Sequence, residues 1–440
     1  MLLNLLIVWA ALLLVLLIFA IGGPGKGGAL TLAYFMGLSL IHVPGVLPFL
    51  AGVSLGDLEV TEIGFEMTIF GMAAFVLGAV LASWNDRRSV AENGAQLRWR
   101  AQAFEHLGWR SVRFGAVAYF VLVPLSFGVP SLTSIVAASA TLLILGLWLG
   151  VYGAAVAADP LRTFVMLALM PLLPLATLVT GGILGYGIYW VLSVVAFLFV
   201  ISRRRVWFYI ASPIAVFLGL SLFVTYMGQR AGIRDLVWEK HAGIVDRLER
   251  ISTIATDFQL LDLASPPQAE ALDERLNQNW IVGTAVRRHE GGWSYLAHGA
   301  TVTPWAFIPR VVWPDKPDIA GGGDIVSEFT GIRFASGTSV GAGQVLEFYV
   351  NFGTLGVLVG FFALGLTLIR LDRGIMLALT TVDTRGLLLR AMPGLTLLQP
   401  GGNLVEILVA CVAAYVGARL VLSLRLFRIE TTARATQRAV

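Results

Sequence analysis

The sequence predicts an all-α integral membrane protein, read as eleven transmembrane helices interrupted by one large, mostly helical external loop. Three observations predict it. Mean hydropathy is +0.80 and only 13% of residues are charged, which excludes an ordinary water-soluble domain. Apolar runs of about twenty residues recur from end to end, each long enough to cross about 30 Å of hydrocarbon as a helix. The alternating ten-residue pattern of a membrane β-barrel is missing.

The spans are read at 2–21, 29–50, 63–83, 112–129, 133–157, 163–180, 182–202, 206–226, 343–369, 384–399 and 403–424. The first has no positive residue before it and no small-residue cleavage site, so it reads as a retained helix rather than a removed signal. Loop charge orients the set. Residues 84–111 carry Arg87, Arg88, Arg98, Arg100 and Arg110 against Asp86, Glu92 and Glu105, and read as cytoplasmic. Arg203, Arg204 and Arg205, then Arg370 with Arg373, and the tail with Arg425 and Arg428 agree. The loop holding Asp57, Glu59 and Glu62 has no basic residue and belongs outside, as does 227–338. The chain therefore divides into an eight-span bundle at 1–226, a loop domain at 227–338, and the C-terminal spans and tail at 339–440. The tenth span is short and contains Arg390.

The external loop holds eleven Lys or Arg against fourteen Asp or Glu, and three of the five histidines. Apolar residues from Ile233 to Ile254 recur at helical spacing and predict an amphipathic helix lying on the membrane or the bundle, ended by Pro266-Pro267. A second helix is expected from Ala269 to Arg288, stopped by Gly291-Gly292. Cys411 is the only cysteine, so packing alone must hold the loop. His241, His289 and His298 lack metal-ligand spacing, and neither a metal nor a cofactor is expected. The pI of 9.3 does not point to nucleic acid, because the arginines are scattered through short loops as topology requires.

The loop's most informative stretch is Ile308-Pro309-Arg310-Val311-Val312-Trp313-Pro314-Asp315-Lys316-Pro317. Its prolines fix φ and remove donors, which rigidly presents a guanidinium and an ammonium beside a tryptophan. Arginine's planar fork matches phosphate oxygens bidentately. Arg230 and Arg234 leave the eighth span one turn apart on one face, where a membrane-anchored diphosphate would lie. Arg287 and Arg390 are further candidate anion ligands. Glu347, at the start of the ninth span, is the first candidate for a general base and His298 the second.

The proline-braced loop, a glycine-rich stretch, and Gly341-x-Gly343-x-x-x-Glu347-x-Tyr349-x-Asn351-Phe352-Gly353-x-x-Gly356 together resemble the Wzy-type O-antigen and exopolysaccharide polymerases over residues 308–356. That family comprises multi-span bacterial inner-membrane proteins with a large periplasmic loop late in the chain. The resemblance implies a metal-independent glycosyltransferase of GT-C-like plan that moves a growing glycan from undecaprenyl diphosphate onto an undecaprenyl-diphosphate-linked repeat unit. It implies catalytic Arg310 and Glu347, with Lys316, Trp313 and Tyr349 binding substrate. Membrane lipids, a chain-length regulator and a flippase are the partners it implies. O-antigen ligases share the plan. A lipid-linked oligosaccharide transporter or flippase is the alternative of another class.

Overall fold

The computed structural model describes residues 1–21, 27–53, 56–83, 94–126, 130–181, 184–202, 205–240, 243–292, 308, 313, 322–333, 340–424 and 427. Every regular element among them is helical. In chain order the helices are α1 (Leu2–Val15), α2 (Ala29–His42), α3 (Leu58–Ser83), α4 (Gly94–Val117), α5 (Pro130–Ser139), α6 (Thr141–Val156), α7 (Pro160–Ala168), α8 (Leu172–Gly181) and α9 (Gly185–Ile201). There follow α10 (Val206–Arg234), α11 (Ile244–Thr256), α12 (Pro266–Leu276), α13 (Gln278–Glu290), α14 (Gly322–Thr330), α15 (Gln344–Thr381), α16 (Thr384–Thr396) and α17 (Leu404–Ser423).

Eight helical stretches among the described residues are long and apolar enough to cross a membrane. They coincide with eight of the eleven expected spans. Of the other three, α4 begins in a polar segment, α9 is apolar but only 17 residues long, and α16 has 13 residues. A 13-residue helix rises only about 20 Å.

Lipid tails are as apolar as leucine, so close packing and buried polar contacts rather than hydrophobicity hold such helices together. The central pair is α3 with α15, running side by side in the same direction. Gly71 lies against Val357 and Phe361, and Arg373 donates to the carbonyls of Ala82 at 2.9 Å and Ser83 at 3.2 Å. At that far end Asp372, 2% exposed, accepts from Leu30 N (2.8 Å), Thr31 N (2.9 Å) and Thr31 Oγ1 (2.7 Å). It thereby satisfies the first amides of α2, which no side chain of α2's own leading residues reaches.

Three sequence expectations are corrected. The ninth span is not one helix: Gly353 has φ 65° and ψ −159°, and α15 folds there so that the Phe348 ring meets Phe361 at 5.6 Å. Only glycine adopts that backbone without strain. The second loop helix is two, because Asn277 leaves the helical region and bonds Asp273 at 2.6 Å and Thr61 at 3.3 Å. Pro266-Pro267 opens α12 instead of closing the helix before it, since proline at the first helical position loses no hydrogen bond.

The long loop is fastened to the bundle in two places. Along α10, Ser221, Thr225 and Gln229 form a polar stripe at i, i+4 and i+8. Leu261 N and Gln259 N donate to the first two hydroxyls, each at 3.0 Å, and Gln229 donates to Asp257 at 2.9 Å. The second fastening is α13, which crosses α3 with almost no separation. A Cβ on Gly64 would overlap the Asn279 carbonyl and sit 2.7 Å from Gly283 N, and one on Gly283 would overlap the Val60 carbonyl. At that crossing Asn279 is fully buried. Its amide donates to the His42 carbonyl at 2.7 Å, so its Oδ1 accepts from His42 Nδ1 at 2.7 Å and Thr68 at 3.1 Å. Because Asn279 Oδ1 can only accept, the His42 proton sits on Nδ1.

Candidate functional site

Two features adjoin at the loop end of the bundle. The first is a buried polar turn. Residues 397–403, between α16 and α17, meet the inbound segment 340–347, and Tyr34 O–H donates to Gln344 Oε1 across them. Gln344 N donates to the Pro400 carbonyl at 3.0 Å, and Asn403 Oδ1 accepts from Ala342 N at 3.3 Å. Buried non-helical backbone in a membrane protein is tolerated only where protein satisfies it, as here. Gly341 and Gly401 touch through backbone, which explains why the chain has glycines there.

Glu347 belongs to this turn. It is 5% exposed and accepts from Leu404 N at 2.5 Å, with Val405 N–H its second donor. Glu347 thus caps the N-terminus of α17 from a neighbouring helix, which the sequence reading did not foresee. A carboxylate has about four lone-pair sites, so capping leaves acceptor capacity for a further proton. Glu347→Ala is expected to destabilise the fold by about 1 kcal/mol, as loss of a cap does. Glu347→Gln retains an acceptor oxygen and is expected to keep the unfolding midpoint, so its turnover reads any basic role separately. A Glu347→Gln midpoint as low as that of Glu347→Ala would show that the charge, not the acceptor, matters. Tyr349, buried beside Glu347's helix turn, stands edge-on to His289 with ring centroids 6.2 Å apart.

The second feature is a cluster of cations. Arg230 and Arg234, on one face at the end of α10, are joined by Arg275 from the end of α12, with Tyr226 hydrogen-bonded to Arg230. All three guanidinium groups lie close enough to interact electrostatically, and Arg275 Nε is buried without a hydrogen-bond partner. Neither Arg230 nor Arg275 has an ion pair among the described residues. Burial and then the Arg230 charge push the Arg275 guanidinium below its ordinary pKa, against the opposing pull of Glu274. Crowded, half-buried cations are costly alone and are stabilised by an anion. Arg275 is three peptide steps, at most about 11 Å of chain, from Gln278, whose side-chain amide lies against Gly343 and Gly401 of the polar turn.

The helix that carries this cluster is uncovered over its earlier half. Every residue of α10 from 209 through 219 is exposed, including Tyr209, Ile210, Ile214, Val216, Phe217 and Leu218. Phe199 touches Phe208 and Tyr209 at the first turn of α10. The exposed apolar half of α10 thus precedes the packed stretch 220–226 that leads to Arg230.

The remaining expected site residues lie elsewhere. Arg287 pairs with Asp57 at 2.8 Å and Glu59 at 3.0 Å, tying α13 to the start of α3. Backbone donation from Val60, then Arg287, holds the Asp57 carboxyl below its usual range. A depressed carboxylate contributes its stability above the unfolded pKa and loses it as pH falls through the lowered folded value. Acidification below about pH 4 is therefore expected to loosen α13's last turn. Hydrogen exchange at residues 287–290 checks this, and Asp57→Asn should abolish the acid step; an unchanged step would assign it to another group. Arg390 donates to the Gly386 carbonyl at 3.0 Å and packs on Gly374, toward the far end of the bundle. Trp313 is exposed. Arg310, Lys316 and His298 lie outside the described residues. Among the described residues no group of His, Cys, Asp or Glu could hold a metal ion. Comparison with protein-family models, curated proteins and solved structures finds no match to this chain.

Proposed function

We propose that this chain is a membrane glycosyltransferase that polymerises oligosaccharides carried on a polyprenyl diphosphate, at the periplasmic face of a bacterial inner membrane. One observation carries the reading: Arg230 and Arg275, which have no ion pair among the described residues, gather with Arg234 at the end of the helix whose earlier half is exposed and apolar. A diphosphate with a long apolar tail matches both halves, the head in the cluster and the tail along α10. Single phosphates or soluble anions would use the cations but leave the exposed apolar half of α10 without purpose.

In the proposed reaction the acceptor hydroxyl oxygen bonds the donor's anomeric carbon as the anomeric carbon–oxygen bond to the diphosphate breaks. The leaving diphosphate keeps the electron pair, and fixed cations stabilise it without a proton. The hydroxyl proton passes to a base, for which Glu347 and His298 are the candidates. The resemblance of residues 308–356 to the Wzy-type polymerases supports the same chemistry, with Arg310 and Lys316 as added cations. Purified full-length protein in vesicles, supplied with a lipid-linked repeat unit, should yield a ladder of longer lipid-linked products. A product transferred once to a different acceptor would instead indicate a ligase. Transbilayer movement without new glycosidic bonds would end the glycosyltransferase reading.

A further inference from the structure

The long loop carries more apolar surface than the bundle covers. Taken at about 100° per residue, α11 has three sectors. Ile251 and Ile254 face the bundle, where Ile254 is buried in a cluster with Leu178 of α8 and Tyr226 and Ile233 of α10. Ile244, Leu248 and Val245 fill the next sector, about 100° wide. All three are exposed, Val245 to 76%. Asp246 and Glu249 occupy the sector beyond and are exposed as well. A helix whose outer side met only water would be polar in both outer sectors.

The level of this helix follows from what it touches. Arg247 donates to the Val179 carbonyl at 2.9 Å, in the last turn of α8, where an apolar stretch of membrane-crossing length ends at Thr180. The Arg250 guanidinium lies against Gly232, near the end of α10. Helix α11 therefore lies across the ends of two apolar helices. Residues 257–261 then return along α10 through the bonds of Asp257 to Gln229, Gln259 to Thr225 and Leu261 to Ser221. Counted from Val206, where the apolar stretch of α10 begins, Ser221 is about 22 Å along the helix. The returning segment thus reaches the edge of a hydrocarbon core about 30 Å thick. Phe258 and Leu260 are exposed on it, and Leu260 adjoins the exposed apolar half of α10.

Charge indicates what covers this surface. Asp246 and Glu249 balance Arg247 and Arg250, so α11 is neutral, and both arginines are turned to the bundle. A neutral apolar sector that continues a membrane-crossing surface suits acyl chains under any headgroup, without help from anionic lipid. We infer that α11 and residues 257–261 seat the long loop on the lipid leaflet at its own end of the bundle. Ile244, Val245, Leu248, Phe258 and Leu260 enter the acyl region, while Asp246 and Glu249 stay in water. The seating is independent of the proposed reaction.

Nitroxide labelling of the full chain in phosphatidylcholine vesicles tests the proposal. Single cysteines are introduced as Val245→Cys, Leu260→Cys and Glu249→Cys in a Cys411→Ser background. All three positions are exposed, so the labels displace no packed side chain. Oxygen concentrates among acyl chains, whereas a nickel chelate stays in water. The labels at 245 and 260 should collide more with oxygen than with nickel, and the label at 249 should show the reverse. Adding phosphatidylglycerol should leave each ratio unchanged. Nickel-dominated collisions at 245 or 260 overturn the seating. Weak collisions with both reagents at either position would show a protein cover, a second copy or another chain, and overturn it too. A requirement for phosphatidylglycerol would mean attraction by charge and overturn the apolar seating. A monodisperse elution profile for each labelled protein excludes misfolding as the cause of any of these results.

Discussion

Gly283→Ala is expected to destabilise the protein by about 3 kcal/mol, the upper end for overpacking a tight contact. The methyl group would overlap the Val60 carbonyl and stand 3.0 Å from Gly64 N, so no side-chain rotation relieves it. Helices α3 and α13 must instead separate. Separation withdraws Asn279 from His42 and Thr68, leaving polar groups buried and unpaired at a further cost. Gly64→Ala should fail in the same way from the other side. The control is Gly219→Ala: nothing lies within 4 Å of a Cβ there, on the uncovered half of α10. Alanine favours helix over glycine by roughly 1 kcal/mol, so that variant should match or exceed wild type. Unfolding midpoints in detergent, followed by size-exclusion fluorescence, compare the three. A wild-type midpoint for Gly283→Ala would mean that the crossing is looser than described.

The membrane class and most spans were legible because an apolar run of span length has few other uses. What failed was the geometry imposed by glycine. The ninth span read straight through Gly353, since periodicity alone cannot tell a glycine that lets helices approach from one that lets the chain turn. The short tenth span was legible as an anomaly. Its cause was not, because α16 ends in a turn completed by residues 340–347 from outside the bundle. In the loop, charge alone suggested Arg287 as a phosphate ligand, whereas its two carboxylate partners lie far upstream, before and at the start of α3. The cation pair Arg230 and Arg234 followed from helical spacing. Arg275 did not, because its approach depends on residues 257–261 returning along α10. The Ser221, Thr225 and Gln229 stripe was the available signal: small polar residues at i, i+4 and i+8 on an apolar helix ask for a partner.

Arg275→Gln is expected to lower polymerisation by about 100-fold, the scale of losing one fixed donor to a developing anion. The same substitution is expected to hold or raise the unfolding midpoint. Both outcomes follow from one geometry. Arg275 Nε is buried without a partner, and its charge faces Arg230 with no carboxylate between them, so the folded protein carries an electrostatic cost that an anion would offset. Removing the cation relieves that cost and removes the anion's ligand together, the usual sign of a site kept for function at the expense of stability. Arg275→Lys separates charge from shape. A lysine restores the repulsion but offers no planar fork, so turnover should stay well below wild type if two phosphate oxygens are held at once. A structural arginine would behave differently, losing midpoint and turnover in parallel. If Arg275→Gln unfolds earlier than wild type, or polymerises normally, the three arginines are not the seat of the diphosphate. Added polyprenyl diphosphate provides the remaining comparison: it should raise the midpoint of wild type by mass action and leave that of Arg275→Gln nearly unmoved.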